Sequence, residues 1–236
     1  MSLPSTPTPS SPGSGAGGAQ VRIDGSGGGD LGPSDAVLVF DLFGVIARTQ
    51  DPVGQRELEQ LVGAEPAAEE FWAAYWRHRP AYDRGAVTGA RYWAAVGEDL
   101  DLTMTPELAV ALVDADVRSW SRIDPAMVEL LHRLRRASRR IALLSNAPHE
   151  IAAAMRTHQG WLELFDGVVF SCEAGTAKPE PAAFRAVEQT LAADSRSFVM
   201  IDDRTENITA AKEFGWAGIT FTGPAHLAEW LAADPV

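Results

Sequence analysis

The chain has 236 residues, 46% of them hydrophobic, enough for one sizeable core with a smaller appendage and too few for three independent domains. Asp and Glu number 32 against 20 Lys and Arg, and the formal net charge of -12 repels polyanions, which argues against nucleic acid or an anionic membrane as partner. The one cysteine, Cys172, excludes an internal disulfide and a cysteine-rich metal site, fits a reducing compartment, and reads as a small buried apolar side chain.

Residues 1–34 are dominated by Pro, Ser, Thr and Gly, as in "PSTPTPSSPGSGAGG", and bury too little apolar surface to offset their ordering entropy. A disordered tail without catalytic residues is predicted there. The N-terminus lacks the basic and apolar regions of a secretory signal, and no run of 18 apolar residues occurs, so the expectation is a soluble, cytoplasmic protein with no membrane partner.

From Ala36 onward, short apolar runs alternate with helical periods, the pattern of parallel strands covered by helices. The runs are "VLVF" (37–40), "IALLS" (141–145), "GVVFS" (167–171), "SFVMI" (197–201) and "AGITF" (217–221). Between them, "DPAMVELLHRLRRAS" opens on Asp124 as N-cap with Pro125 at the first helical position, and places Met127, Leu130, Leu131 and Leu134 on one face. "PAAFRAVEQTLAA" repeats the design, and "TENITAAKEFG" stops on Gly215, with Thr205 expected as its cap. The predicted fold is an α/β, doubly wound parallel sheet.

A separation of 104 residues between Asp41 and Ser145 is far longer than one crossover helix requires. Residues 49–122 read as an inserted helical segment, leaving 36–48 and 123–236 for the main domain. The insert's aromatic residues, Trp72, Tyr75, Trp76, Tyr82, Tyr92, Trp93 and Trp120, are expected to form its core rather than a stacking site. "HRLRRASRR" reads as the solvated face of a helix, and His132, His149, His158 and His226 have no spacing that indicates a metal site or a triad.

Ligands of an open parallel sheet bind beyond the carboxyl ends of its strands. The residues that follow the first four runs are Asp41, then Ser145 and Asn146, then Lys178 in "CEAGTAKPEP", then Asp202 and Asp203. A carboxylate, a hydroxyl with an amide, an ammonium and an acidic pair would therefore meet at one rim. Clustered carboxylates need a cation to remain ionised together, and an oxygen-only set suits Mg²⁺.

These four groups, in this order, resemble the motifs of the haloacid dehalogenase-like hydrolases over residues 36–222. "IDDRTENITAAKEFGW" and "AKPEPAAF" look like the branch that holds the glucose-1-phosphate phosphatases and the phosphatase domain of bifunctional epoxide hydrolases. The resemblance implies that 49–122 is a helical cap. It also implies a Mg²⁺-dependent phosphatase that forms an aspartyl-phosphate on Asp41. Metal ligands would come from Asp41, the backbone carbonyl of Phe43, Asp203 and Asp202, the last directly or through water. Lys178 would balance charge, and Ser145, Asn146 and Lys178 would bind the phosphate of a small phosphorylated metabolite. Asn207, four residues past Asp203, either orients the acidic loop or caps the next helix.

Position 43 departs from the phosphatase pattern, which carries there a second aspartate that protonates the leaving oxygen. Phe43 cannot do so. The departure favours leaving groups that depart without a proton, sugar 1-phosphates and acyl or aryl phosphates among them, or a donor borrowed from the insert, for which His78, Asp83 and Glu98 are candidates. It also keeps open a metal-independent dehalogenase, since halide needs no proton, and a catalytically silent binding protein of the same fold.

Overall fold

The computed structural model describes residues 36–63, 68–192 and 197–232; the expected N-terminal tail lies outside them. Five strands, β1 (Val37–Phe40), β2 (Ile141–Ser145), β3 (Gly167–Phe170), β4 (Phe198–Asp202) and β5 (Ala217–Thr220), form one sheet in the order β3-β2-β1-β4-β5, with every pairing parallel. β1 is central, so its carboxyl end opens between those of β2 and β4.

The strands are apolar at consecutive positions because both faces of the sheet are covered, and alternate residues enter different cores. Leu38 and Phe40, Ile141 and Leu143, and Val199 and Ile201 pack with α5 (Pro125–Arg136), α6 (His149–His158) and α10 (Pro224–Ala232). Val37 and Val39, Ala142 and Leu144, and Phe198 and Met200 pack with α8 (Pro181–Thr190) and α9 (Thr205–Phe214). Asp124 caps α5 by accepting from the Ala126 amide at 2.9 Å, ahead of Pro125 as expected. Its apolar face, Met127, Leu130, Leu131 and Leu134, is buried, while His132, Arg133 and Arg136 are exposed.

Several boundaries differ from the sequence reading: β4 runs Phe198–Asp202 rather than 197–201, and β5 stops at Thr220 rather than 221. Ser171 leaves the third strand and opens a short helix, α7 (Ser171–Ala174), its Oγ accepting from the Ala147 amide at 2.9 Å. Thr205 is the first residue of α9 and not its cap; Arg204 holds that position, with its amide donated to Asp202 Oδ1 at 2.8 Å.

Between β1 and α5 lie α1 (Pro52–Val62), α2 (Ala68–Asp83), α3 (Gly89–Asp99) and α4 (Pro106–Ser119). They enclose a core of their own, in which Phe71, Tyr75, Tyr82, Tyr92 and Trp93 are fully buried and Tyr82 stacks on Tyr92 with ring centroids 4.4 Å apart. The segment joins the sheet domain through a paired stem. Ala47 bridges Ile123 antiparallel, the Arg48 amide donates to Arg122 O at 2.8 Å, and the Asp124 amide donates to Ile46 O at 2.9 Å. A second tie lies at α6, where Glu150 accepts from Tyr82 Oη at 2.9 Å and from the Gly89 amide at 3.1 Å.

Candidate active site

Beyond the carboxyl end of β1 the chain turns sharply: the Val45, Ile46 and Ala47 amides all donate to Leu42 O. Gly44 adopts φ +91°, and a Cβ at that position would overlap the Asp203 carboxylate, so both the turn and the approach of Asp203 require glycine. Asp41 Oδ1 accepts from the Leu42 amide at 2.7 Å and pairs with Lys178 Nζ at 2.7 Å. The same ammonium lies 2.7 Å from Asp202 Oδ2.

Lys178 is positioned by Asn146. The Asn146 Nδ2 donates to Lys178 O at 2.8 Å, and the Lys178 amide donates to Asn146 Oδ1 at 2.9 Å. Asn146 borders the cavity at the rim, yet its side chain acts as a clasp between the ends of β2 and the loop after β3. Ser145 is fully buried behind the cavity border rather than on it, and its Oγ has no hydrogen-bond partner among the described residues. An orphaned buried hydroxyl costs about 1–3 kcal/mol, so a ligand oxygen would relieve it.

Asp202, at 0% exposure, is saturated. Its Oδ1 accepts from the Arg204 amide and from Asn207 Nδ2, and its Oδ2 accepts from Lys178 and again from Asn207 Nδ2 at 3.0 Å. Asn207 therefore orients the acidic loop, which settles the alternative left open by the sequence. Asp203 is exposed towards the same space.

Oxygens of Asp41, Asp202 and Asp203 lie within 4.8 Å of one another. Burial, opposed by Lys178 and reinforced by Asp202, pushes Asp41 up to about 7, and burial with the Asp202 charge raises Asp203 as well. Burial acts to lower Lys178, but the Asp41 and Asp202 carboxylates overcome it and hold the ammonium charged. Three carboxylates with a single ammonium among them form an oxygen-only set with excess negative charge, a donor chemistry that fits a hard divalent cation.

A cavity of about 350 Å³ opens over this rim, near the lower end of the range for small-molecule sites. Its remaining border comes from Phe43, Thr49, Trp76, Arg79, Asp83, Trp120 and Arg204. Arg79 donates from Nε to Asp83 Oδ1 at 2.7 Å, and from Nη1 to Asp116 Oδ2 at 2.9 Å and to Tyr75 Oη. Tyr75 Oη donates to Asp116 Oδ1 at 2.6 Å and accepts from Trp120 Nε1 at 3.2 Å. Of the three insert groups named as donors, only Asp83 borders the cavity; His78 pairs with Asp99 and Glu98 with Arg91, both away from it. Burial, against the pull of Arg79, raises Asp83.

The sequence reading missed Arg79 and Asp116, and assigned Trp76 and Trp120 to the insert's core. A buried arginine flanked by aromatic residues in "WRHRPAY" was the available signal, but its partner Asp116 lies on another helix and only the fold brings the two together.

A family model for haloacid dehalogenase-like hydrolases matches residues 36–215. The chain belongs to this family. The hydrolase is 23% identical over 185 residues to a sesquiterpene phosphatase, astK, of Aspergillus oryzae, a match that spans 78% of this chain and 88% of that protein. It shares its fold with the family enzyme BT-2542 of Bacteroides thetaiotaomicron in complex with magnesium and inorganic phosphate, at a TM-score of 0.64 and 21% identity over 81% of this chain and 98% of the other. It also shares it with L-2-haloacid dehalogenase of Xanthobacter autotrophicus, bearing covalently bound chloropropionic acid, at a TM-score of 0.57 and 19% identity over 85% and 83% of the two chains. Among the described residues no helix is long and apolar enough to cross a membrane.

Proposed function

We propose that the hydrolase is a Mg²⁺-dependent phosphatase of a small phosphomonoester, with Asp41 as nucleophile. The observation that carries this reading is the grouping of Asp41, Asp202 and Asp203, with oxygens within 4.8 Å of one another and the Lys178 ammonium paired to the first two. A halide-releasing site has no need of so dense an acidic set. Likeness over most of the chain to a protein named as a phosphatase supports the same choice.

Asp41 and Asp203, with the backbone carbonyl of Phe43, would hold the magnesium ion, and Asp202 would act behind them through the hydrogen bonds that fix Lys178 and Asn207. When bound, the ion supplies positive charge to the transferring phosphoryl group. Lys178 holds the Asp41 carboxylate by Oδ1, and its ammonium offers the phosphoryl oxygens a counter-charge. The unpartnered Ser145 hydroxyl would donate to one of those oxygens. In-line attack by Asp41 forms the aspartyl-phosphate, and water then cleaves it. The helices between 49 and 122 act as a cap that closes over the rim and limits the entry of water. Within this class the ring at position 43 favours esters whose leaving oxygen departs unprotonated, sugar 1-phosphates and aryl or acyl phosphates.

The test is phosphate release from 4-nitrophenyl phosphate and a panel of sugar phosphates with Mg²⁺, with EDTA as the metal-free arm and Asp41→Asn as the blank. Release that EDTA abolishes and Mg²⁺ restores supports the reading. Phe43 favours a second reading, dehalogenation, and halide release from a 2-haloacid in the presence of EDTA, with no phosphate release, would select it.

A further inference from the structure

We infer that the leaving-group side of the cavity recognises the unsaturated hydrocarbon of a phosphate ester or diphosphate whose leaving oxygen departs without protonation. The proposal rests on the phosphatase reading and names its substrate class. Three aromatic rings run contiguously from the nucleophile into the cavity: Phe43 meets Trp120 edge-on with centroids 4.9 Å apart, and Trp120 meets Trp76 edge-on at 6.3 Å. Trp76 is 50% exposed, one of the few large apolar side chains left open to solvent among the described residues. A tryptophan left half bare, at the end of a line of rings that starts beside a carboxylate nucleophile, is apolar surface that a ligand would cover.

Arg79 and Asp83 border the cavity beside these rings, and their hydrogen bonds run to one another and into the insert. Trp120 gives its indole N–H to Tyr75, and the Arg79 guanidinium stands 5.6 Å from its ring centroid. Arg79 in turn gives hydrogens to Asp83, Asp116 and Tyr75. The buried network thus fixes the ring of Trp120 and Asp83 in place, and the rings present edges and π-faces to the ligand. Reading a sugar needs several donors and acceptors aimed at its hydroxyls. Phe43, Trp120 and Trp76 together offer instead one apolar stretch of the border to an unsaturated hydrocarbon.

Phe43 imposes the second condition. Asp41 forms a bond to phosphorus while the bond from phosphorus to the leaving oxygen breaks, and that oxygen keeps the electron pair. With a phenyl ring where a proton donor would stand, the leaving oxygen departs as an anion and takes its proton from water afterwards. Phenolates meet this condition, and so does the monophosphate expelled when the terminal phosphate of a prenyl diphosphate is attacked. Both carry the unsaturated hydrocarbon that the rings accept.

The experiment compares 2-naphthyl phosphate, farnesyl diphosphate and glucose 1-phosphate on the full chain with Mg²⁺, by kcat/KM for phosphate release. Glucose 1-phosphate lacks the apolar surface, and since its anomeric oxygen leaves less readily than a phenolate, the change of preference in Trp76→Ala, rather than the preference alone, reads the rings. At least a tenfold preference for either hydrocarbon substrate is expected, and the substrate that shows it separates the aryl source from the prenyl one. Trp76→Ala should shrink that preference at least fivefold, chiefly through KM. Equal rates on all three, or a preference that Trp76→Ala leaves intact, overturns the proposal while the phosphatase reading stands. If no substrate releases phosphate, the phosphatase reading fails, and binding decides the proposal. A rise in Tm with 2-naphthyl phosphate that exceeds the rise with inorganic phosphate and is lost in Trp76→Ala supports the aromatic subsite, and equal rises overturn it.

Discussion

The ring of Phe43 meets that of Trp120 edge-on, 4.9 Å between centroids, where the sheet domain and the helical insert face each other across the cavity. Replacing Phe43 by aspartate exchanges this contact for a carboxyl group that can give up a proton. General acid catalysis is worth about 10² to 10⁴-fold where the leaving group is a basic alkoxide. Phe43→Asp should therefore raise kcat on glycerol phosphate by about tenfold or more, and lower the rate on aryl phosphates through the lost ring. Identical changes across both leaving groups would show that position 43 does not control protonation.

Asn207 is the second prediction. Its amide holds both oxygens of Asp202, which in turn holds Lys178. Groups that orient a metal site from behind typically contribute about 10–100-fold in affinity or activity. Asn207→Ala should weaken the response to Mg²⁺ by about that factor while Asp41 stays in place, and a titration of activity against Mg²⁺ reads it. A loss of stability with an unshifted Mg²⁺ response would make Asn207 merely structural.

The Arg79 cluster gives the third. Arg79, at 5% exposure, neutralises Asp116 at 1%, so its removal leaves a buried carboxylate without its cation. Breaking such a pair costs about 3–5 kcal/mol, and Arg79→Met should move the denaturation midpoint accordingly. Arg79→Met combined with Asp116→Asn should recover part of that loss, because the charge left stranded is gone. No recovery would mean that packing of the guanidinium against Tyr75 and Trp120 dominates.

A fourth prediction follows from Asp41. Burial raises it from 3.8 to about 7, so between about pH 4 and 7 the folded chain keeps a proton that the unfolded chain has released. The unfolded state binds fewer protons in that window, and stability falls as pH rises through it; above about 7 both states are ionised and the contribution is constant. Asp203 shifts in the same direction and adds to the effect. The metal-free protein should lose Tm between pH 5 and 8, and Mg²⁺ should raise Tm more at pH 8, where the carboxylates are ionised. Asp41→Asn should flatten both trends, and calorimetry at the two pH values checks them.

Much of the sheet was legible because its determinants are local. "VLVF" and "IALLS" coincide with β1 and β2, and Asp124 with Pro125 marks the start of α5 as its cap chemistry dictates. Ser171 was misread because its small side chain continues an apolar run, while its real role is a hydrogen bond to the distant Ala147 amide. Asp202 reads as a loop residue in sequence and ends β4 in the fold. The candidate site was legible as far as one residue per strand end marks it. Trp76 and Trp120 were not separable from Tyr75 and Trp93 by spacing, since helical periodicity names a face and not what the face meets.

The stem at Ala47 and Ile123 has a consequence for how such a protein can diverge. Both ends of the helical segment are pinned by main-chain bonds, Arg48 to Arg122 and Asp124 to Ile46, which depend on no particular side chain. A segment of different length or composition can be grafted across that bridge without altering the carboxylates at the strand ends, since loop-closure entropy grows only slowly with length. The strand-end carboxylates and the insert can therefore change independently of each other, and Phe43, on the sheet side but in contact with Trp120 of the insert, is a position where a change on one side meets the other.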